Sequence, residues 1–213
     1  MRLVITEKND AAKKIAELLA VGKVTQDKVY DTSVYRFNHE GDEWVSIGLK
    51  GHILAVDFPL NLSYTKRRGW FAIDEHGVSL EADIPESLDK PPFKKRKPFV
   101  EDGVDLKAWK LAVLPYLVYA PIQKTPAEKG IIRSVKNLAA KAQSVIIATD
   151  FDREGELIGA DALSVVREAA PDIPATRVRY SALTRDEISN AFANQVVLDE
   201  YLAQAGSPAN GSI

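Results

Sequence analysis

Asp150, Asp152 and Glu154 alternate along the stretch Ala148-Thr-Asp-Phe-Asp-Arg-Glu-Gly-Glu156, directly after the apolar run Val145-Ile-Ile-Ala148. Carboxylates a few ångströms apart raise one another's pKa and oppose ionisation, so such a cluster is costly unless something positive sits among them. A divalent cation reverses the sign of that cost. Mg²⁺ takes oxygen ligands, keeps several waters and commonly binds through one or two carboxylates and a substrate phosphate. The chemistry implied is a site for a phosphorylated or polynucleotide substrate. Any one of these acids alone is better explained as a cap or dipole partner in the first turn of a helix. The joint pattern D-x-D-x-E-G, with Glu7 at the end of a second strand-like run, is not.

The elements that must position these acids follow from periodicity. Leu3-Val-Ile-Thr6 reads as a short strand, and Ala11, Ile15, Leu18 and Leu19 form one face of the helix after it. The same spacing recurs at Ile131, Val135, Leu138 and Ala139 before the Val145 strand, and at Ile158, Ala162, Val165, Val166 and Ala169 after it. Arg177-Val-Arg-Tyr180 is a further short run. It leads to Thr184-Arg-Asp-Glu187, a capping-box pattern opening a last helix through Ile188, Ala191 and Phe192. Short apolar strands alternating with amphipathic helices predict an α/β fold with a parallel sheet covered by helices on both faces. In open sheets of that class ligands bind at the carboxyl ends of the strands. Glu7, Asp150, Asp152 and Glu154 meet there if the two strands are neighbours.

From about residue 21 to 126 the rhythm breaks into short alternating stretches, such as Ser33–Phe37 and Glu43–Ile47, and a Pro-rich basic segment, Pro91–Pro98. This reads as a hairpin- and loop-rich insertion into one domain spanning 1–205. The small, polar residues 206–213 read as a disordered tail or a truncation remnant.

Composition removes several classes. The absence of cysteine excludes disulfides and thiolate metal sites, and His39, His52 and His76 lack zinc-binding spacing. A net charge of -2 argues against coating nucleic acid by bulk electrostatics, while 28 Lys and Arg leave room for local basic patches. With no apolar run of about 18 residues and no signal-peptide pattern, a cytoplasmic protein without a membrane partner is expected.

The stretch from Ala148 to Glu156 closely resembles the D-x-D-R-E-G-E signature of the Toprim domain in type IA DNA topoisomerases, and Val4-Ile-Thr-Glu7-Lys8 resembles its glutamate-bearing first strand. Lys50-Gly-His52-Ile-Leu54 is similar to the family's G-H-[IL] turn, and Arg177-Val-Arg-Tyr-Ser-Ala-Leu-Thr184 to its R-[IV]-x-[FY]-S-x-[IL]-T segment. The resemblance covers residues 1 to about 205 and is strongest to archaeal topoisomerase I and the topoisomerase III branch. It implies a Rossmann-like Toprim fold and a role for each matching residue. Glu7 is similar to an acid near the scissile phosphate, and Lys8 to a lysine that contacts it. Asp150, Asp152 and Glu154 match the Mg²⁺ set, with Mn²⁺ as a possible substitute. Arg153 fits either a phosphate contact or an ion pair supporting the loop. His52 suits a structural hydrogen bond or a DNA contact, and Arg177 and Arg179 flank a single strand or are simply solvated. The basic runs Lys66–Arg68 and Lys94–Lys97, close to aromatic residues, suit a backbone-tracking groove or a solvated face.

Type IA enzymes cleave one strand through a covalent phosphotyrosine. The resemblance places that tyrosine in a later domain, and no tyrosine here has the matching context. The expectation is therefore an N-terminal portion of a topoisomerase that does not relax DNA alone. It would act on single-stranded DNA or single-stranded regions of a duplex, with the remaining domains in cis or as a split subunit. A stand-alone metal-dependent nuclease and a non-catalytic DNA-binding module are the alternatives.

Overall fold

The computed structural model describes residues 1–58, 61–65, 69–73, 79–81, 103–106 and 111–197. The basic runs Lys66–Arg68 and Lys94–Lys97, the segment Pro91–Pro98, Tyr201 and the tail 206–213 lie outside the described residues. In chain order the elements begin β1 (Arg2–Thr6), α1 (Asn9–Leu19), β2 (Thr25–Val29), β3 (Thr32–His39), β4 (Asp42–Gly48) and β5 (Leu54–Asp57). They continue β6 (Asn61–Thr65), β7 (Gly69–Ile73), β8 (Ser79–Glu81), β9 (Gly103–Asp105), α2 (Leu114–Leu117) and β10 (Gln123–Pro126). The last are α3 (Lys129–Ala139), β11 (Ser144–Ala148), α4 (Arg153–Ala169), β12 (Ala175–Arg177), α5 (Arg185–Ala193) and β13 (Val196–Val197).

Two compact units divide the chain, one formed by 1–54 with 126–213 and the other by 55–125. The first holds a seven-stranded sheet of order β13-β12-β11-β1-β4-β3-β2. Its four central strands are mutually parallel, while β13, β3 and β2 are antiparallel additions at the edges. The expected parallel core is present, in a mixed sheet. The segment 25–48, expected within an insertion starting at about residue 21, instead supplies three strands of this sheet, and the second unit starts only at 55. Its alternating residues looked peripheral because antiparallel hairpins carry a period-2 pattern, whereas the central parallel strands, buried on both faces, are continuously apolar.

That continuity has a direct structural expression. Along β1 and β11, Leu3, Ile5, Val145 and Ile147 point into one layer with α3 and α4, through Ile131, Val135, Leu138, Ile158, Ala162 and Val165. Val4, Ile146 and Ala148 point into the other with α1 and α5, through Ala12, Ile15, Leu19, Ile188 and Phe192. Each fully buried aliphatic side chain contributes roughly 1.5–3 kcal/mol, so the two layers fix the sheet register firmly. The capping box read at Thr184–Glu187 does not form: Thr184 makes no side-chain cap, and Glu187 Oε1 accepts from the Ser181 N–H instead of that of Thr184.

The second unit contains an antiparallel sheet of order β8-β7-β6-β9 and the ladder of β5 with β10. Leu62, Ala72, Leu106, Val113, Tyr116 and Ala120 form its core. No helix among the described residues is long and apolar enough to cross a membrane.

Candidate active site at the carboxyl edge of the sheet

β1 and β11 are direct neighbours, with Thr6 opposite Ala148, so Glu7 and Asp150 emerge side by side at one edge of the sheet. Each strand closes with a buried threonine that pins the turn into the following helix. The Thr6 hydroxyl donates to the Lys8 carbonyl at 2.8 Å, and the Thr149 hydroxyl donates to the Gly155 carbonyl at 2.7 Å. Two glycines let these turns close. A Cβ on Gly155 would lie 2.0 Å from the Asp150 carbonyl oxygen, and one on Gly48 would lie 2.4 Å from Asn9 at the start of α1. The glycine of D-R-E-G-E is thus the point where α4 touches the acid-bearing turn.

Glu7 is buried, and the Lys8 ammonium reaches its carboxylate at 2.9 Å. The hydrogen bond and charge of Glu7, followed by the charge of Asp150, hold the Lys8 pKa above its ordinary value. Asp150 is shifted upward by burial first and then by Glu7, with Lys8 partly opposing. The lysine therefore answers part of the repulsion read in the sequence, and Asp150 retains the rest.

The acids do not all face the same point. Asp152 N-caps α4, its Oδ1 accepting from the Gly155 N–H at 2.7 Å, so the helix-cap explanation holds for this residue. Glu154 and Arg153 are exposed in the first turn of α4. Among the described residues, no three His, Asp or Glu side chains come close enough to share a metal ion. The donor chemistry nevertheless fits a hard cation. All the available ligands are carboxylate oxygens, Asp150 carries an unfavourable negative charge, and Mg²⁺ needs only one or two such ligands with water.

His52 lies in the turn after β4, where the Gly51 N–H donates to the Glu7 carbonyl at 3.2 Å. Gly51 has φ of 82°, a left-handed conformation that accounts for glycine in the Gly-His pair. His52 Nδ1 is 3.6 Å from the buried carboxylate of Asp161, and Nε2 is 4.0 Å from Glu154. Its position serves a structural bridge from this turn to α4.

Arg177 corrects the sequence expectation of a strand-end DNA contact. The side chain is 3% exposed, and its guanidinium donates to the carbonyls of Thr149 at 2.7 Å, Asp150 at 3.0 Å and Val178 at 3.1 Å, with Glu156 Oε1 accepting at 2.7 Å. It clamps the backbone that carries Asp150. Alternation along a strand end does not reveal this, because the groups that bury Arg177 come from the turn after β11 and from Glu156 in α4. Arg179, two residues further on, lies with its guanidinium 5.0 Å from the centre of the Phe151 ring. Phe151 is 55% exposed beside a 490 Å³ pocket lined by Asp150, Asp152, Tyr180 and Ser181. The sequence reading passed over Phe151, Glu156 and Asp161. The one available signal was a large apolar residue set between two acids. Tyr180 is buried, donates to the Ala148 carbonyl at 2.8 Å and has its pKa pushed up by burial and by Asp150, so its phenol stays protonated.

The raised Asp150 pKa has a measurable consequence. In the window from the ordinary Asp value of 3.8 up to the folded value, the native state binds more protons than the unfolded chain, so stability falls as pH rises. Asp150→Asn is expected to remove that slope and, without divalent cations, to melt above the unsubstituted protein at neutral pH. Thermal melts across the pH range check both outcomes.

The Toprim domain family profile matches residues 2–183. DNA topoisomerase 1 of Archaeoglobus fulgidus is 34% identical over 203 residues, covering 95% of this chain and 24% of that protein. Human DNA topoisomerase 3-alpha is 26% identical over 210 residues, covering 95% of this chain and 17% of that protein. Among solved structures, full-length topoisomerase I from Thermotoga maritima aligns over 92% of this chain and 21% of that one, with 18% identity and a TM-score of 0.43. The chain spans about a quarter or less of the length of these relatives.

Proposed function

The chain belongs to the Toprim domain family, and from that premise we propose that it is the Mg²⁺- and DNA-phosphate-binding portion of a type IA DNA topoisomerase. The complete enzyme would cleave one DNA strand, pass another through the break and reseal it. The observation that carries this reading is the β1–β11 register, which puts Glu7 and Asp150 side by side with the Lys8 ammonium against Glu7.

The site's residues divide the work by chemistry. Lys8 stabilises negative charge developing on a phosphate, and Glu7 takes or returns a proton as the attacking and leaving oxygens exchange. Arg153, exposed at the start of α4, adds a second cation beside the phosphate. One or two of Asp150, Asp152 and Glu154, with water completing the shell, would hold Mg²⁺, or Mn²⁺ in its place, which when bound neutralises and orients the phosphate. Arg179 with Phe151 offers a cation and an aromatic face to a single strand at the pocket beside Asp150, and His52 borders the same edge. The partners are single-stranded DNA, or unpaired regions of a duplex, and the remaining topoisomerase domains in cis or as a separate subunit. Those domains would supply the nucleophilic tyrosine, and the working compartment is the cytoplasm.

Calorimetric titration with Mg²⁺ tests the reading. Saturable binding at millimolar metal is expected, and it should vanish when Asp150 and Asp152 are both replaced by Asn. At tenfold over its Kd the ion should stabilise the fold by about 1.4 kcal/mol, raising Tm by roughly 3–6 °C. A melt that ignores Mg²⁺ would remove the metal role. Supercoiled DNA is expected to stay supercoiled with this chain and Mg²⁺. Nicked or linear products that disappear in Asp150→Asn would instead favour a stand-alone nuclease.

A further inference from the structure

A second group of residues with nucleic-acid chemistry lies on the same sheet edge, away from the carboxylates. The turn Tyr30–Asp31 joins β2 to β3, and Val29 and Thr32 pair beside the carboxyl end of β4. The strand order puts this turn four strand spacings from the end of β11, roughly 19 Å. Tyr30 has φ of 51°, a left-handed backbone that a bulky aromatic residue adopts only when its surroundings enforce it.

The surroundings are specific. The Arg133 guanidinium carbon sits 3.9 Å from the centre of the Tyr30 ring, and the Asn137 amide lies 3.5 Å from the Tyr30 hydroxyl. The fully buried Ser134 hydroxyl, on the same helix, is 2.8 Å from the Val29 carbonyl and 3.0 Å from the Thr32 hydroxyl, fastening the turn to α3. Tyr30 remains 45% exposed and borders a 460 Å³ groove with Pro126, Lys129, Arg133 and Lys136. Among the described residues no carboxylate lines it, although Lys136 itself pairs with Glu168. The result is an aromatic ring stacked with a guanidinium, held in place before any ligand arrives, with lysines beside it.

We propose that this groove is a second contact for single-stranded DNA, in which an unpaired base stacks on the Tyr30–Arg133 layer and Lys129 and Arg133 meet the adjoining phosphates. The inference rests on the DNA reading given above. A single strand is the ligand class because a base in a duplex keeps its faces stacked on its neighbours, whereas an unpaired base presents one to the ring. The common edge lets one strand run from the Asp150 turn to Tyr30.

Fluorescence anisotropy with a labelled oligothymidylate and a labelled duplex tests it. Tyr30→Asn removes the ring yet keeps a residue that tolerates left-handed backbone, so the turn should still form, as a thermal melt will verify. This variant is expected to bind the single strand about fivefold or more weakly and the duplex unchanged, while Tyr30→Phe stays within about twofold of the unsubstituted protein. Lys129→Gln with Arg133→Gln should reduce the salt slope of single-strand binding by about 1.4. Lys8→Ala serves as the reference in the first site. Single-strand binding that weakens with Lys8→Ala but not with Tyr30→Asn or the Lys129/Arg133 pair overturns this inference and leaves the DNA reading standing. Equal weakening on duplex and single strand overturns the stacking role. An unsubstituted protein that binds no single strand sinks the DNA reading itself.

Discussion

Arg177→Met is expected to destabilise the chain by about 3–5 kcal/mol, a large share of the roughly 5–15 kcal/mol that holds a domain together. Methionine fills similar space but donates nothing. The carbonyls of Thr149, Asp150 and Val178 would lose their buried donor, and each such loss costs about 1–3 kcal/mol if water cannot replace it. The ion pair with Glu156 adds less, because that carboxylate is half exposed and screened. Arg177→Lys should recover only part of the loss, since an ammonium cannot fork to three carbonyls and a carboxylate at once. Thermal unfolding should show a fall in Tm on the order of 10 °C for the methionine variant. Mg²⁺ affinity should fall too, because the released backbone carries Asp150. A methionine variant that melts with the unsubstituted protein would show that the clamp is dispensable.

Gly155→Ala carries the second large effect. The added methyl would meet the Asp150 carbonyl oxygen at 2.0 Å and its carbonyl carbon at 2.9 Å, and both are backbone atoms that cannot swing aside. Either the start of α4 or the Asp150 turn must move by about 1 Å, at a cost of about 3 kcal/mol that exceeds the helix preference of alanine. In the topoisomerase proposed above, a displacement of that size beside the reacting phosphate would lower rates on the order of 10²-fold. Gly130→Ala provides the contrast. It sits in the first turn of α3 with nothing within 4 Å of the new methyl, and should stabilise by about 0.5–1 kcal/mol. If the two variants melt alike, the close approach at Gly155 does not constrain the site.

Much of the frame was legible because central strands and amphipathic helices bury faces that leave a periodic trace. Leu3 to Ile5 and Val145 to Ala148 lie in the core, and the helix faces at Ile15, Val135 and Val165 pack where their spacing placed them. The hairpins over 25–48 were harder to assign. Their period-2 pattern fits both a separate insertion and an edge extension of the same sheet, and only the pairing of β4 with β1 decides between them. Gly48 left no trace either, since its constraint is the backbone of Asn9, about forty residues away in sequence.

By itself the sequence determined the chemistry on offer: hard oxygen donors at Glu7, Asp150, Asp152 and Glu154, a lysine beside the first of them, no thiol, and a fold that gathers strand ends. Those are properties of residue type and local period, which every residue carries with it. Tertiary structure alone decided the assignments. It turned Asp152 into a helix cap, buried Arg177 as a clamp, and set Phe151 under Arg179 and Tyr30 under Arg133. The physical reason is that a polar side chain's task depends on which unpaired backbone groups and charges the packed layers bring within about 3 Å of it. For Arg177 those groups, the adjacent Val178 carbonyl aside, come from 21 to 28 residues away, beyond the reach of any local pattern.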